Sequence, residues 1–296
     1  MSNMVVRTNV LALNSHRNLG NVGNAQARSS ARLSSGFRIN NAADDAAGLA
    51  ISETMRSQIR GLNQASRNAQ DGISMIQTAE GGLQTIGDMV ARIRELVVQA
   101  ANDTNTDPGI DSVEDDQTDR AMIQAEIEQL LDEIKDTADR VQFNRRTLLN
   151  DDTGTVFFQI GANADQGIDV VMPDVVSVVH SILDDLLALP SGADTGGVNI
   201  TGGREIGNML SSIDSVMGTV NRARADLGAA QNRLEFTIEN LNISSENLSA
   251  ANSRIRDADM AREMMSLTQA NVLQQAATAM LAQANQAPQS ILQLLG

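Results

Sequence analysis

The apolar residues of this chain recur every seven positions over stretches far longer than an ordinary globular helix. Met55, Leu62, Ala69, Ile76, Leu83, Val90 and Val97 form one row. Ile206, Ile213, Val220, Leu227, Leu234, Leu241, Leu248 and Ile255 form a second without a polar interruption. Rows of this length specify coiled-coil seams. Each helix would be roughly 75 to 85 Å long at 1.5 Å per residue, and neither can bury its stripe alone, so the two should pack on each other. Prolines stand only at 108, 173, 190 and 288, outside both rows. Beside the first row run Ile59, Ser66 and Ile73, then Ala79, Ile86, Ile93 and Ala100. The companion of the second, Leu210, Met217, Arg224, Gln231, Ile238, Ser245 and Asn252, mixes apolar with polar residues, which lower stability but restrict register.

Between the long helices, Ile123, Ile127, Leu130, Ile134, Ala138 and Val141 give a third helix one buried face. The connection before it, Asn102 to Asp119, holds Pro108-Gly109 and many Asp and Thr, a polar turn. Residues 155–172 change period: two short β-rich runs flank GANADQG, which predicts a β-hairpin. Pro190 to Gly203 is turn-rich. The fold class is mainly α: a long antiparallel coiled-coil bundle with a small β-hairpin, plus a coiled-coil pair formed by the N- and C-terminal helices.

Charge is distributed unevenly. Residues 1–43 carry five Arg and no acid, residues 103–152 carry 15 acids against 5 bases, and residues 264–296 carry no charged side chain. A helix without charge has no face suited to bulk water, yet Gln269, Asn271, Gln274, Gln275 and Gln283 keep it too polar for lipid. Met260, Met264, Leu267, Ala270, Leu273, Ala277, Met280 and Ala284 supply one apolar stripe, widened by Met265, Val272, Ala276 and Leu281. The N-terminal segment offers Val6, Val10, Leu13, Leu19, Val22 and Leu33, but Gly20 and Gly23 each cost a helix about 1 kcal/mol relative to Ala. Both ends are therefore expected to be marginal alone and to order against neighbouring copies, which makes the chain an assembly subunit.

Other chemistries find little support. The net charge of -15 and 2% aromatic residues do not suit nucleic acid. Without cysteine there is no disulfide, thiolate zinc site or cysteine nucleophile. His16 and His180 stand alone, and the acids at 103, 107 and 111 lack the pattern of a calcium loop. Asp44-Asp45 has no base or nucleophile beside it and reads as a helix start. No catalytic residue, metal site or cofactor is expected. No run approaches the roughly 20 apolar residues that span a bilayer, and no cleavable secretory signal is evident at the N-terminus.

SSGFRINNAADDAAGLAIS (residues 34–52) and ASRNAQDGISMIQTAEGGL (65–83) closely resemble the N-terminal region of bacterial flagellins. Residues 253–295 resemble the matching C-terminal end, and FFQIGANADQGIDVVM resembles the hairpin of the flagellin core. The resemblance covers nearly the whole chain but lacks the large variable outer region of many members, whose place is taken by about 190–203.

The resemblance implies a filament subunit for swimming, exported unfolded by the flagellar type III system and located outside the cell. Residues 1–43 and 256–296 would form an inner tube, residues 44–255 an outer tube, and Asn40 to Asp45 the connection, flanked by Gly36 and Gly48. Val6, Val10, Leu13, Leu19, Val22, Leu33, Met260, Met264, Leu267, Leu273, Met280 and Leu281 would serve subunit assembly. Implied partners are further copies of the chain, the export apparatus and chaperone, and cap and hook-junction proteins. Nucleic acid and membrane insertion are not among them. A vertebrate Toll-like receptor is a further implied partner, through Arg92, Glu95, Leu96, Gln99 and Glu126; Ala91 stands where such patches commonly carry Gln. Two other readings stay open from the residues: a hook-filament junction protein, and a secreted coiled-coil effector active on membranes.

Overall fold

The computed structural model describes residues 9–102, 119–150, 154–175, 177 and 205–295. Among them five helices account for most of the chain: α1 (Val10–Ser35), α2 (Ala46–Ala100), α3 (Asp119–Arg140), α4 (Glu205–Arg256) and α5 (Met260–Leu295). The turn-rich segments 103–118 and 190–203, Val6 and His180 lie outside the described residues. The chain divides into two units, Met1–Arg60 with Ser245–Gly296, and Gly61–Ser244, and the division falls inside both α2 and α4.

In the unit Gly61–Ser244, α2 and α4 run antiparallel. Gly72 lies against Leu234, Glu80 pairs with Arg224 at 3.7 Å, Gly87 faces Val220, and Arg94 Nε donates to Asp214 at 2.8 Å. As numbers rise along α2 they fall along α4. Both heptad rows are core here: Ala69, Ile76, Leu83, Val90 and Val97 of α2, and Ile213, Val220, Leu227, Leu234 and Leu241 of α4, are buried. So are Ala79, Ile86, Ile93 and Ala100.

The companion row of α4 differs from the sequence reading. Leu210, Met217, Arg224, Gln231 and Ile238 are only half-buried, whereas Met209, Val216 and Ala230 are buried. Steps of three and four from one row lead to opposite flanks of a helix, and here the buried flank is the three-step one. Likewise α3 buries Ile123, Ile127, Ile134 and Ala138 as expected, but Leu131 rather than Leu130.

The predicted hairpin is present. Strands β3 (Thr155–Gln159) and β4 (Gly167–Val171) pair antiparallel, with Val156 opposite Val170 and Phe158 opposite Ile168. Val156, Ile168 and Val170 enter the core, while Phe157, Asp169 and Val171 point outward, the period-two alternation of a one-sided sheet. Its loop lies on α2: Asn68 Nδ2 donates to the Gln159 carbonyl at 3.0 Å, and a Cβ on Gly61 would fall 2.8 Å from Ala162. A shorter ribbon, β1 (Gln142–Phe143) with β2 (Arg146–Thr147), was not anticipated. It turns through Asn144 and Arg145, both at positive φ, as a two-residue hairpin requires.

Candidate assembly surface

In the unit holding both chain ends, α1 and α5 pair antiparallel. Asn9 Nδ2 donates to the Ala284 carbonyl (2.7 Å), Gln26 Nε2 to Asn271 Oδ1 (2.8 Å) and Arg32 to Glu263 (3.1 Å). The shielded positions of α1 include the run 12, 15, 19, 22, 26, 29 and 33, flanked by 23, 25 and 32, and those of α5 are 263, 267, 270, 274, 277, 281 and 284. Both sets alternate steps of three and four, a coiled-coil seam. Small residues, among them Ala12, Ser15, Ser29, Ala270, Ala277 and Ala284, occupy much of it. Gly20 and Gly23 do not interrupt α1, which is one helix from Val10 to Ser35.

This seam sorts the apolar residues of both helices. Leu19, Val22, Leu33, Leu267 and Leu281 lie on it and are half-buried. Val10 and Leu13 of α1, and Met260, Met264, Leu273 and Met280 of α5, are exposed. So are Met265, 67% exposed, and Val272 seven residues on. With Ala276 and Ala279 they make a second apolar row on α5, away from the seam.

The joint between helices is built from short-range bonds. Gly36, at φ 75°, ends α1 in the left-handed conformation that glycine adopts without strain, and its N–H donates to the Arg32 carbonyl at 2.8 Å. The returning chain is tied to it: Arg38 N–H donates to the Arg256 carbonyl (2.7 Å) and Ala258 N–H to the Gly36 carbonyl (2.9 Å). The Arg256 guanidinium sits 4.6 Å over the Phe37 ring and bonds Glu53 at 2.7 Å. Asp45 caps α2 by accepting from Gly48 N–H at 2.9 Å, and Asp259 caps α5 by accepting from Ala261 and Arg262. A Cβ on Gly48 would stand 2.8 Å from Cδ1 of Ile39, which is fully buried.

Asp44 holds the turn before α2. Its Oδ2 accepts from the backbone N–H groups of Asn41 (3.1 Å) and Asn40 (3.2 Å). These bonds, with the charges of Arg32 and Arg28, hold its carboxyl below the ordinary 3.8. A pKa lowered by folding gives stability that is present above the ordinary value and lost as pH falls through the folded one. Amide protection at Asn40 and Asn41 is therefore expected to fall as the pH drops below 3.8, and to lose that dependence in Asp44→Asn. Protection independent of acid in the unaltered chain would contradict the role.

On α2 and α3, Arg92 donates to Glu126 at 3.0 Å and to Glu95 at 3.3 Å. These bonds, Glu126 first, raise the Arg92 pKa. Gln99 is exposed one turn beyond Glu95. Leu96, by contrast, is 2% exposed and belongs to the core, so it supports this surface from beneath.

Residues 6–153 match the family model for the bacterial flagellin N-terminal helical region, and residues 210–295 match that for the C-terminal helical region. A flagellin of Halalkalibacterium halodurans is 48% identical over 99% of this chain and its own full length. A Bacillus subtilis flagellin is 46% identical, and a flagellar filament 33 kDa core protein of Treponema phagedenis 45%, with the same coverage. The chain belongs to the bacterial flagellin family. A solved structure titled as a putative flagellar hook-associated protein of Vibrio parahaemolyticus aligns with TM-score 0.54 over 72% of this chain and all of its own. At 17% identity that likeness is one of fold.

As a flagellin, the chain is a structural, non-enzymatic subunit that polymerises with itself into the flagellar filament, the organelle of motility. Relatives of similar length match it over 99% of its residues and the whole of their own. Among the described residues no helix is long and apolar enough to cross a membrane. Of the α5 stripe read from the sequence and the residues widening it, Leu267, Ala270, Ala277, Leu281 and Ala284 lie on the seam, whereas Met260, Met264, Met265, Val272, Leu273, Ala276 and Met280 are exposed, because the polar Gln and Asn residues are scattered round the helix and do not mark one solvated face.

Proposed function

We propose that polymerisation runs through the apolar residues that the α1 and α5 pair leaves outward: Val10 and Leu13, and the Met265, Val272 row with Met260, Met264, Leu273 and Met280. One observation carries this reading. A helix without a charged residue from 264 onward buries one face in its own chain and keeps apolar side chains exposed on others. Water is a poor neighbour for such faces, and further copies of the same pair supply the missing cover. Val6 stands four residues before Val10 and seven before Leu13 in the sequence. The seam residues Leu19, Val22, Leu33, Leu267 and Leu281 prepare the surface by holding the two helices together.

Residues 1–43 and 256–296 then form the inner tube of the filament and residues 44–255 the outer tube. Export of the unfolded chain through the flagellar type III system, an export chaperone, and cap and hook-junction proteins complete the partners. Detection by a vertebrate Toll-like receptor through Arg92, Glu95, Gln99 and Glu126 is part of the same reading, with receptor activation by purified monomer as its readout.

Removing residues 264–296 tests the core of the proposal. The shortened chain is expected to remain soluble, with the α2, α3 and α4 bundle folded, and to form no filaments when seeded. Filaments of normal length from that chain would refute the role of α5.

A further inference from the structure

The chain carries 22 basic side chains, and all but Lys135 are arginine. It contains neither tyrosine nor cysteine. Lysine, tyrosine and cysteine are the side-chain types that change charge between about pH 8.5 and about pH 10.5, whereas arginine keeps its proton beyond about pH 12. Carboxylic acids and histidine have finished titrating by about pH 8. Through the alkaline range the sequence thus holds one side chain of a titrating type, against 37 acids that stay ionised.

The structure sets the arginines into ties within each unit. In the unit Gly61–Ser244, Arg92 of α2 faces Glu95 on its own helix and Glu126 of α3. Arg94 of α2 faces Asp214 of α4, and Arg224 of α4 faces Glu80 of α2. In the unit holding both chain ends, Arg32 of α1 lies 3.1 Å from Glu263 of α5 and 4.0 Å from Asp44, where Arg28 adds its charge. Arg256 joins Glu53, which Arg56 also meets at 2.9 Å, and it covers the Phe37 ring, a contact that needs its charge. The Glu263 side chain is only 13% exposed, so a neutral residue at position 32 would leave a shielded carboxylate without its cation.

Geometry alone does not ask for arginine at all these places. Arg56 with Glu53 and Arg92 with Glu95 are three-residue pairs along one helix, which lysine also makes. Arg222, Arg233 and Arg254 are exposed on α4, where either cation keeps a chain soluble. What sets arginine apart at every one of them is the pH at which the charge is lost. A chain with lysine throughout would shed most of its 22 positive charges by about pH 11 and leave 37 acids repelling one another. One exposed pair adds little to stability, so the effect is carried by the set. As a filament subunit the chain meets the pH of its surroundings directly.

We propose that this flagellin works in alkaline surroundings: its arginine ion pairs keep the fold and the filament intact to about pH 11, where a chain built on lysine loses them.

Full-length monomer and filament at about pH 8 and about pH 11 test this, each chain compared with itself, so that a loss already present at the lower value cancels. The parent is expected to lower its thermal midpoint by less than about 3 °C over that step and to keep its filaments sedimentable. A chain carrying Arg32→Lys, Arg92→Lys, Arg94→Lys, Arg224→Lys and Arg256→Lys keeps those charges at the lower pH and loses roughly four-fifths of them at the higher. Its midpoint is expected to fall further than the parent's by at least about 5 °C. If the five changes prevent folding at the lower pH, Arg92→Lys with Arg94→Lys carries the comparison, with an expected excess fall of about 2 °C. Parent filaments that dissolve, or a parent monomer that unfolds, below about pH 11 would overturn the proposal. So would a lysine chain that follows the parent at both values. Neither result bears on the α1 and α5 surface, which is unaltered in residues 264–296 and is tested at neutral pH.

Discussion

A chain carrying Met265→Glu and Val272→Glu is expected to stay monomeric where the parent polymerises, with its critical concentration raised by more than about a hundredfold. Both side chains are exposed on the second apolar row of α5, so the substitutions remove no contact within the monomer. In the polymer each would place a carboxylate on an apolar row whose own helix offers it no cation, since positions 264–296 are uncharged. Burying an unpaired carboxylate costs several kcal/mol unless it is neutralised, and each 1.4 kcal/mol is about tenfold in an equilibrium constant. A hundredfold rise therefore asks for less than two such burials supply. Monomer helicity and the α1 and α5 seam should be unchanged by circular dichroism. Normal filaments from this chain would place the second row in solvent and remove it from the assembly surface.

Leu83→Ala and Leu234→Ala are expected to act on folding instead. Both leucines are fully buried at heptad positions of α2 and α4. Each truncation should cost about 2 to 5 kcal/mol, the transfer free energy of the lost methyl groups plus that of the cavity left behind. Leu273→Ala on α5 removes the same atoms from an exposed position and should leave monomer stability nearly unchanged. Denaturant unfolding of the three monomers separates the cases. A loss below about 1 kcal/mol at both Leu83 and Leu234 would mean that the two heptad rows do not face one core.

The contrast between buried and exposed leucines also marks how far the sequence could be read. The long rows of α2 and α4 were legible because a seven-residue repeat is local and survives any arrangement of neighbours. Which flank of α4 is buried was not, because the choice between Met209, Val216 and Ala230 on one side and Leu210, Met217 and Arg224 on the other depends on the elements packed against it. Asp45 was legible as a helix start, since capping is decided within one turn. The hairpin was legible from its period of two, whereas the β1 and β2 ribbon offered only Asn144 as a turn residue in a two-residue strand pair.

The assembly surface divides the same way. An apolar, uncharged C-terminal helix was plain in the sequence, and the stripe read on it already holds Ala270, Ala277 and Ala284 of the seam. Met260, Met264, Leu273 and Met280 stood out by size and proved to lie on exposed faces. For the receptor patch, sequence likeness set Leu96 beside Arg92 and Glu95, but one step along a helix turns a side chain by about 100°, here into the core.

Methionine oxidation reads the central claim directly, because Met260, Met264, Met265 and Met280 are exposed on α5 of the single chain while Met75, Met172 and Met209 are buried. Brief treatment with dilute peroxide, followed by peptide mass spectrometry, should be done on monomer and on filament. Rapid oxidation of the α5 methionines in the monomer and strong protection in the filament are expected, with the three buried methionines slow in both. Equal oxidation of Met265 and Met280 in the two states would show that polymerisation leaves these faces open, and would contradict the claim that further copies of the chain cover them.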